Sequence, residues 1–185
     1  MAEPSLQKKK LEGKVAIITG GASGIGEATT RLLCTHGAKI VIGDIEDEKG
    51  QKVAESIGSN LCSYIHCDVS IEDQVQAMVE WTLKTRGHLD IMFSNGGIFS
   101  QSAQKVLDLD LSGMYYNLFS VNVGGMASCL KHAARAMIDQ SIKGSIVCMA
   151  SVAATRGAEN WTDYCMSKHA VLGLMRCASK QLREP

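Results

Sequence analysis

The sequence predicts an α/β protein built on a doubly wound parallel sheet, with the strands in the order 3-2-1-4-5. Three observations lead there. Short β-branched runs alternate with stretches of helical period five times along the 185 residues, with no internal repeat and no low-complexity linker. The first run, V-A-I-I-T at 15–19, passes directly into G-G-A-S-G-I-G at 20–26, a strand that turns through glycines into a helix. The second run, K-I-V-I-G-D at 39–44, ends on Asp44, about 20 residues past those glycines.

In chain order, residues 1–12 read as a flexible polar arm and 13–185 as one Rossmann-type domain. The run 15–19 is apolar enough for a strand covered on both faces. A helix over 24–37 carries Ala28, Leu32 and Leu33 toward the sheet and stops at Gly37. Strand two ends at Asp44, and a charged helix over 46–57 leads to strand three at 61–67. The helix at 71–86 has Val75, Met78, Val79 and Leu83 at helical spacing and ends before Gly87. Strand four, 89–94, turns through Asn95-Gly96-Gly97 at its carboxyl end, the end that faces the ligand crevice of open α/β sheets. An interrupted helical region over 108–139 contains Asn122. Strand five, 144–150, delivers Ser151 to the same crevice, and a last helix from about Asp163 carries Tyr164 and Lys168 one turn apart. No strand follows it, where a doubly wound nucleotide fold continues to a sixth.

Composition narrows the partners. Nineteen basic and 19 acidic residues cancel, which argues against nucleic acid or an anionic membrane surface. There is no apolar run near the ~18 residues of a membrane span and no hydrophobic signal core. Seven cysteines without a C-x-x-C pair, Cys34, Cys129 and Cys148 among them, read as reduced core residues of a cytoplasmic protein. Cys62, His66, Cys67 and Asp68 are ligand-type residues, but strand alternation sends neighbours to opposite faces and no metal site is expected. Asn160-Trp161-Thr162 is a chance glycosylation pattern.

The glycines supply the first chemistry. Gly20, Gly24 and Gly26 stand where a strand-to-helix turn needs positive φ or close approach, and the helix that follows points its unpaired N–H groups at an anion. Their spacing, G-x-x-x-G-x-G, departs from the ordinary dinucleotide fingerprint. Asp44 is placed to accept from a ribose diol and to repel a 2′-phosphate, which favours NAD over NADP. Asp68 is placed either to hold an adenine amino group or to cap the next helix. Ser151, Tyr164 and Lys168 form S-x12-Y-x3-K. A phenol is a poor base at neutral pH, and an adjacent ammonium stabilises its phenolate. Tyr164 can then exchange a proton with an alcohol or carbonyl while Ser151 holds the same oxygen, and Asn122 on a helix kink can hold a water beside Lys168. Singly these residues fit a helix cap, a surface tyrosine and a solvated lysine; the set together does not.

These motifs resemble the short-chain dehydrogenase/reductase family: T-G-G-A-S-G-I-G at 19–26, Asp44, Asp68-Val69, S-N-G-G at 94–97, Asn122-Val123, Ser151 and Y-C-M-S-K at 164–168. Within it the sequence is most similar to plant NAD-dependent alcohol dehydrogenases of terpenoid, lignan and xanthoxin type. The resemblance implies Tyr164 as acid/base, Ser151 positioning the substrate oxygen, Lys168 binding the nicotinamide ribose and tuning Tyr164, and Asn122 completing a proton relay. It implies that NAD is held by Gly20, Ser23, Gly24, Ile25, Gly26, Asp44, Ile45, Asp68, Val69, Asn95, Gly97, Tyr164 and Lys168. The implied partners are an alcohol or ketone substrate and further copies of the chain. Ser94 and Gly96 depart from the family turn N-N-A-G, which is expected to loosen that loop. Family members also run on for about seventy residues, with two more strands and most of a substrate lid, so this length reads as truncated. The alternative is therefore an inactive nucleotide-binding or interaction form, in which strand five is an open edge and the last helix exposes Val171, Leu172 and Leu174.

Overall fold

The computed structural model describes residues 9–182. A five-stranded parallel sheet has the order β3-β2-β1-β4-β5, as the sequence predicts. The strands are β1 (Val15–Thr19), β2 (Lys39–Asp44), β3 (Cys62–His66), β4 (Ile91–Ser94) and β5 (Ser145–Cys148). Between them run α1 (Gly24–Thr35), α2 (Asp47–Ile57), α3 (Glu72–Arg86), α4 (Gly113–Phe119), α5 (Met126–Asp139) and α6 (Thr162–Gln181).

Strand alternation divides the core in two. Ala16, Ile18, Ile40 and Ile42 pack with Cys34 of α1 and Val53 and Ala54 of α2. Ile17, Val41 and Met92 point the other way, onto Val75, Met78 and Val79 of α3 and Cys129, Ala133 and Met137 of α5. β1 is buried along its whole length because both faces are covered. Cys62 and Cys67 fall in different clusters, as alternation requires. Among the described residues all the cysteines are unpaired, and five of them are core.

Several expectations are corrected. Residues 1–8 of the expected arm lie outside the described residues, as do 183–185. Residues 9–12, however, form a docked turn: the Leu11 N–H donates to the His36 carbonyl at 2.9 Å, and the Leu11 side chain packs on the α1/α2 core. In α1, Ala28 is exposed and Leu32 is 56% exposed; the buried positions are Gly26, Thr30 and Cys34. The glycine turn sets that phase, since Gly26 must meet the Gly20 backbone and the residues four and eight further on then face the sheet. Val171 is buried, on the face of α6 that also carries Lys168, while Leu172 and Leu174 are half-buried. Among the described residues β5 pairs with β4 alone, and its Val147 is 50% exposed. Among the described residues no helix is long and apolar enough to cross a membrane.

Candidate functional site

The carboxyl ends of β1, β2, β4 and β5 converge on one crevice, as parallel strand order demands. At β1 the chain leaves the sheet at Gly20, whose φ of +65° belongs to the left-handed region. A Cβ on Gly20 would sit 2.9 Å from the Gly96 Cα, and one on Gly26 would sit 2.0 Å from the Gly20 carbonyl oxygen. Those two glycines let three backbone segments touch. Gly24 differs: its φ is +51°, and a Cβ there would meet nothing within 4 Å, because it faces the crevice. Ser23 precedes α1 without capping it, so its hydroxyl is not spent on the first N–H groups of the helix, an end where backbone donors and the helix dipole favour an anion. Ile25 is exposed beside them.

Asp44, at the end of β2, is pinned by its own neighbourhood. Its Oδ2 accepts from Ala22 N at 2.9 Å and its Oδ1 from Glu46 N at 3.1 Å, so the acid is tied to the glycine turn. The Tyr64 hydroxyl donates to the Asp44 carbonyl at 2.8 Å and also to the Asp47 carboxylate. Ile45 follows, exposed. Asp68 does not cap α3, whose N-cap is Ile71. Its Oδ1 instead accepts from Ser70 N and Ser70 Oγ, closing the turn after β3. Val69 is buried against Gly125, where a Cβ would lie 2.7 Å from its methyl carbon.

The S-N-G-G turn is not loose. Thr19 Oγ1 accepts from both Asn95 N at 3.0 Å and Gly96 N at 3.1 Å, and Asn95 Nδ2 donates to the carbonyls of Thr19 and Gly20. A Cβ on Gly96 would make ordinary contacts, so sterics leave room for the alanine that the family turn carries. Thr19 stood in the sequence only as the close of a strand and the first letter of T-G-G-A-S-G-I-G, with no sign that its hydroxyl holds the 95–96 turn.

Asn122 lies in a π-helical turn, Ser120–Gly125, between α4 and α5, the interruption expected in that region. It is fully buried. Its Oδ1 accepts from Ile98 N at 2.8 Å, and its Nδ2 donates to the Ile98 carbonyl at 2.9 Å and to Ser167 Oγ at 3.2 Å. Both amide hydrogens are thus engaged, and the side chain clamps the loop after β4. Ser167 in turn donates to the Tyr164 carbonyl at 2.8 Å, so a residue that the sequence offered only inside Y-C-M-S-K links β4, the π turn and α6.

Ser151 does cap the short 3-10 turn Val152–Ala154: its Oγ accepts from Ala153 N at 3.1 Å, which leaves the hydroxyl hydrogen to donate elsewhere. α6 packs on that turn and brings Tyr164 and Lys168 to the crevice. Lys168 is only 3% exposed. Its Nζ lies 5.6 Å from the Tyr164 ring centroid, donates to the Met149 carbonyl at 3.1 Å, and is 3.5 Å from where a Gly97 Cβ would be. Burial pushes the Lys168 ammonium below the usual lysine range. Among the described residues no carboxylate pairs with it. Phe99 packs at a tilt against the rings of Tyr164 and Trp161, and Asp163, buried, accepts from Ser100 Oγ at 2.5 Å and from Tyr164 N at 2.7 Å. The crevice therefore suits a dinucleotide: a cradle open at Gly24, an acid fixed at Asp44, and an ammonium at Gly97.

Comparison with known proteins agrees with this geometry. The family profile described as short chain dehydrogenase matches residues 14–185. A (+)-cis,cis-nepetalactol synthase of Nepeta racemosa is 56% identical, the match covering 96% of this chain and 66% of that protein. A mitochondrial (−)-isopiperitenol/(−)-carveol dehydrogenase of Mentha piperita is 53% identical over 94% of this chain and 66% of its own length. For secoisolariciresinol dehydrogenase of Forsythia intermedia the figures are 49%, 94% and 62%. The chain thus spans about two thirds of the length of these relatives. Among solved structures, an NAD+-bound xylitol dehydrogenase superposes with a TM-score of 0.87 at 31% identity, covering 94% of this chain and 66% of that one. A Burkholderia phymatum enzyme in complex with NAD gives 0.87 at 28% identity, with 93% and 61% covered. A profile matched from Lys14 onward, relatives sharing about half their residues, and a superposable sheet all agree: the chain belongs to the short-chain dehydrogenase family.

Proposed function

We propose that the chain carries the NAD-binding and acid–base parts of an oxidoreductase that moves a hydride between a secondary alcohol, or the corresponding ketone, and NAD, in specialised metabolism of terpenoid type. The observation that carries the reading is the place of Lys168, whose buried ammonium lies at once against the Tyr164 ring and against Gly97 at the crevice wall. Bound NAD would supply the hydride acceptor. Gly20, Ser23, Gly24, Ile25 and Gly26 would hold its pyrophosphate, Asp44 and Ile45 the adenosine ribose, Asp68 and Val69 the adenine, and Asn95, Gly97, Tyr164 and Lys168 the remainder. Tyr164 takes the hydroxyl proton of the alcohol as the C–H hydride leaves, and the ketone forms; in the other direction it returns that proton. Ser151 donates its remaining hydrogen to the reacting oxygen. Lys168 stabilises the phenolate, and Asn122 keeps the β4 loop and α6 in register.

The substrate class follows from the walls. Phe99, Val152 and Trp161 are apolar and keep accessible surface, which fits a ring alcohol of terpenoid type better than a sugar. The test is to supply NAD with a panel of terpenoid, lignan, steroid and sugar alcohols and to follow both NADH and product, since a relative at 56% identity is named a synthase. Preference for sugars would overturn the substrate class, and NAD binding without NADH or product would favour a second reading, a silent nucleotide-binding form. A groove of about 800 Å³ between α5, α6 and the residues leading into β5 supports that second reading. We further propose a homo-oligomer, dimer or tetramer, located in the cytoplasm; sedimentation and cell fractionation test these.

A further inference from the structure

Three aromatic rings stand in contact at the mouth of the crevice. Phe99 lies with its centroid 4.3 Å from that of Trp161 and 4.4 Å from that of Tyr164, tilted by 54° and 55°. Despite two ring neighbours, Phe99 remains 48% exposed. A ring of that size held so firmly, yet left half open beside the reacting hydroxyl, is an apolar surface awaiting cover.

The backbone on both sides of Phe99 is fixed. Ile98, the preceding residue, is gripped through both its N–H and its carbonyl by the buried Asn122. Ser100, the following residue, is bonded to the buried Asp163, itself next to Tyr164. Further on, Gln104 N donates to the Asn160 carbonyl at 2.8 Å and Thr162 N to the Gln104 carbonyl at 3.1 Å, so the β4 loop is stitched to the start of α6. The wall is preorganised, and binding to it loses little protein entropy. What remains is the entropy of the ligand. A hydrocarbon ring has few rotors to freeze, whereas an open chain of equal carbon number must immobilise many.

We propose that Phe99 is a specificity-determining residue, its half-open ring being the surface on which a substrate's apolar ring packs while the substrate oxygen meets Tyr164. The proposal rests on the oxidoreductase reading for the place of the oxygen, but it is tested by binding alone. The full 185-residue chain, saturated with NADH, is titrated with menthone, a C10 ring ketone, and with 2-decanone, its open-chain counterpart. Trp161 fluorescence reports binding, with Trp81→Phe removing the other indole. The unmodified wall should bind menthone about tenfold more tightly than 2-decanone. Phe99→Ala should weaken menthone about tenfold and 2-decanone by no more than about twofold, with Phe99→Leu in between. No preference in the unmodified chain, equal weakening of both ketones, or no effect on either would overturn the proposal; equal weakening would mean that Phe99 only supports Tyr164. A binding preference without turnover would leave the aromatic wall standing and remove the dehydrogenase reading instead.

Discussion

Two glycines of the cradle are glycine for different reasons, and alanine at each should fail differently. At Gly26 the added Cβ would lie 2.0 Å from the Gly20 carbonyl oxygen, 2.7 Å from its carbon and 2.8 Å from Asn95 Nδ2. Real Cβ contacts essentially never fall below 3.0 Å, so backbone must move by about 1 Å, dragging the Asn95 bonds that join β1 to β4. Overpacking of this kind costs about 3 kcal/mol or more, or a fall of about 6–12 °C in Tm for a chain of this size. At Gly24 there is open space, and only the positive φ opposes a side chain, at about 1 kcal/mol or about 2–4 °C. For ligand the order reverses in meaning: the Gly24→Ala methyl stands where the anion approaches, so NAD affinity should drop about tenfold while the fold is nearly intact. Thermal melts of both variants at low protein concentration, paired with NAD titration, read the two effects separately. Melting temperatures within about a degree of each other would refute the steric argument, and unchanged NAD affinity for Gly24→Ala would refute the cradle.

Other consequences follow from the same geometry. Asp44 should exclude NADP, since two charges about 4 Å apart at an effective dielectric near 20 repel by roughly 4 kcal/mol; equal affinity for NAD and NADP would show that Asp44 does not face the ribose. Because burial lowers the Lys168 pKa in the folded state, the unfolded chain binds more protons above that value, so stability gains as pH rises toward the ordinary lysine value near ~10.4. Lys168→Met should lose that alkaline gain, keep or raise the neutral-pH Tm, and abolish turnover; a variant that melts well below the parent would contradict the desolvation argument. Among the described residues β5 has one strand neighbour and its Val147 is exposed, so the 185-residue chain should self-associate as concentration rises, and Val147→Lys should reduce this in light scattering; a strictly monomeric parent at high concentration would count against the edge.

The sheet was legible because its order is set by short parallel strands and the glycine turn, both local in sequence. Asp44, Tyr164 and Lys168 were legible for a related reason: a strand end and a one-turn helical spacing fix where a residue points. Reading a helix face from apolar letters alone failed for α1, where a backbone contact at Gly26 rather than Leu32 sets the phase; Val171, expected on a face left uncovered, is buried instead because it shares a face with the buried Lys168. The docking of Leu11 on His36 and the Asn122–Ile98 clamp join residues 25 and 24 positions apart, a separation that no periodicity records. Asp68 and Ser151 proved to hold turns of their own, which a sequence pattern cannot separate from ligand contact.

The proton path through Tyr164 is tested most directly by one comparison: NADH formation from a ring-shaped secondary alcohol by the protein and by its Tyr164→Phe variant, with NAD affinity measured on both. To make the assay independent of chain length, both are also joined to the C-terminal third of the 56%-identical Nepeta racemosa relative. The account predicts that turnover falls by about 10² or more while NAD affinity changes by less than about twofold, because one hydroxyl leaves the proton path and the cradle is untouched. Turnover retained in Tyr164→Phe would contradict it.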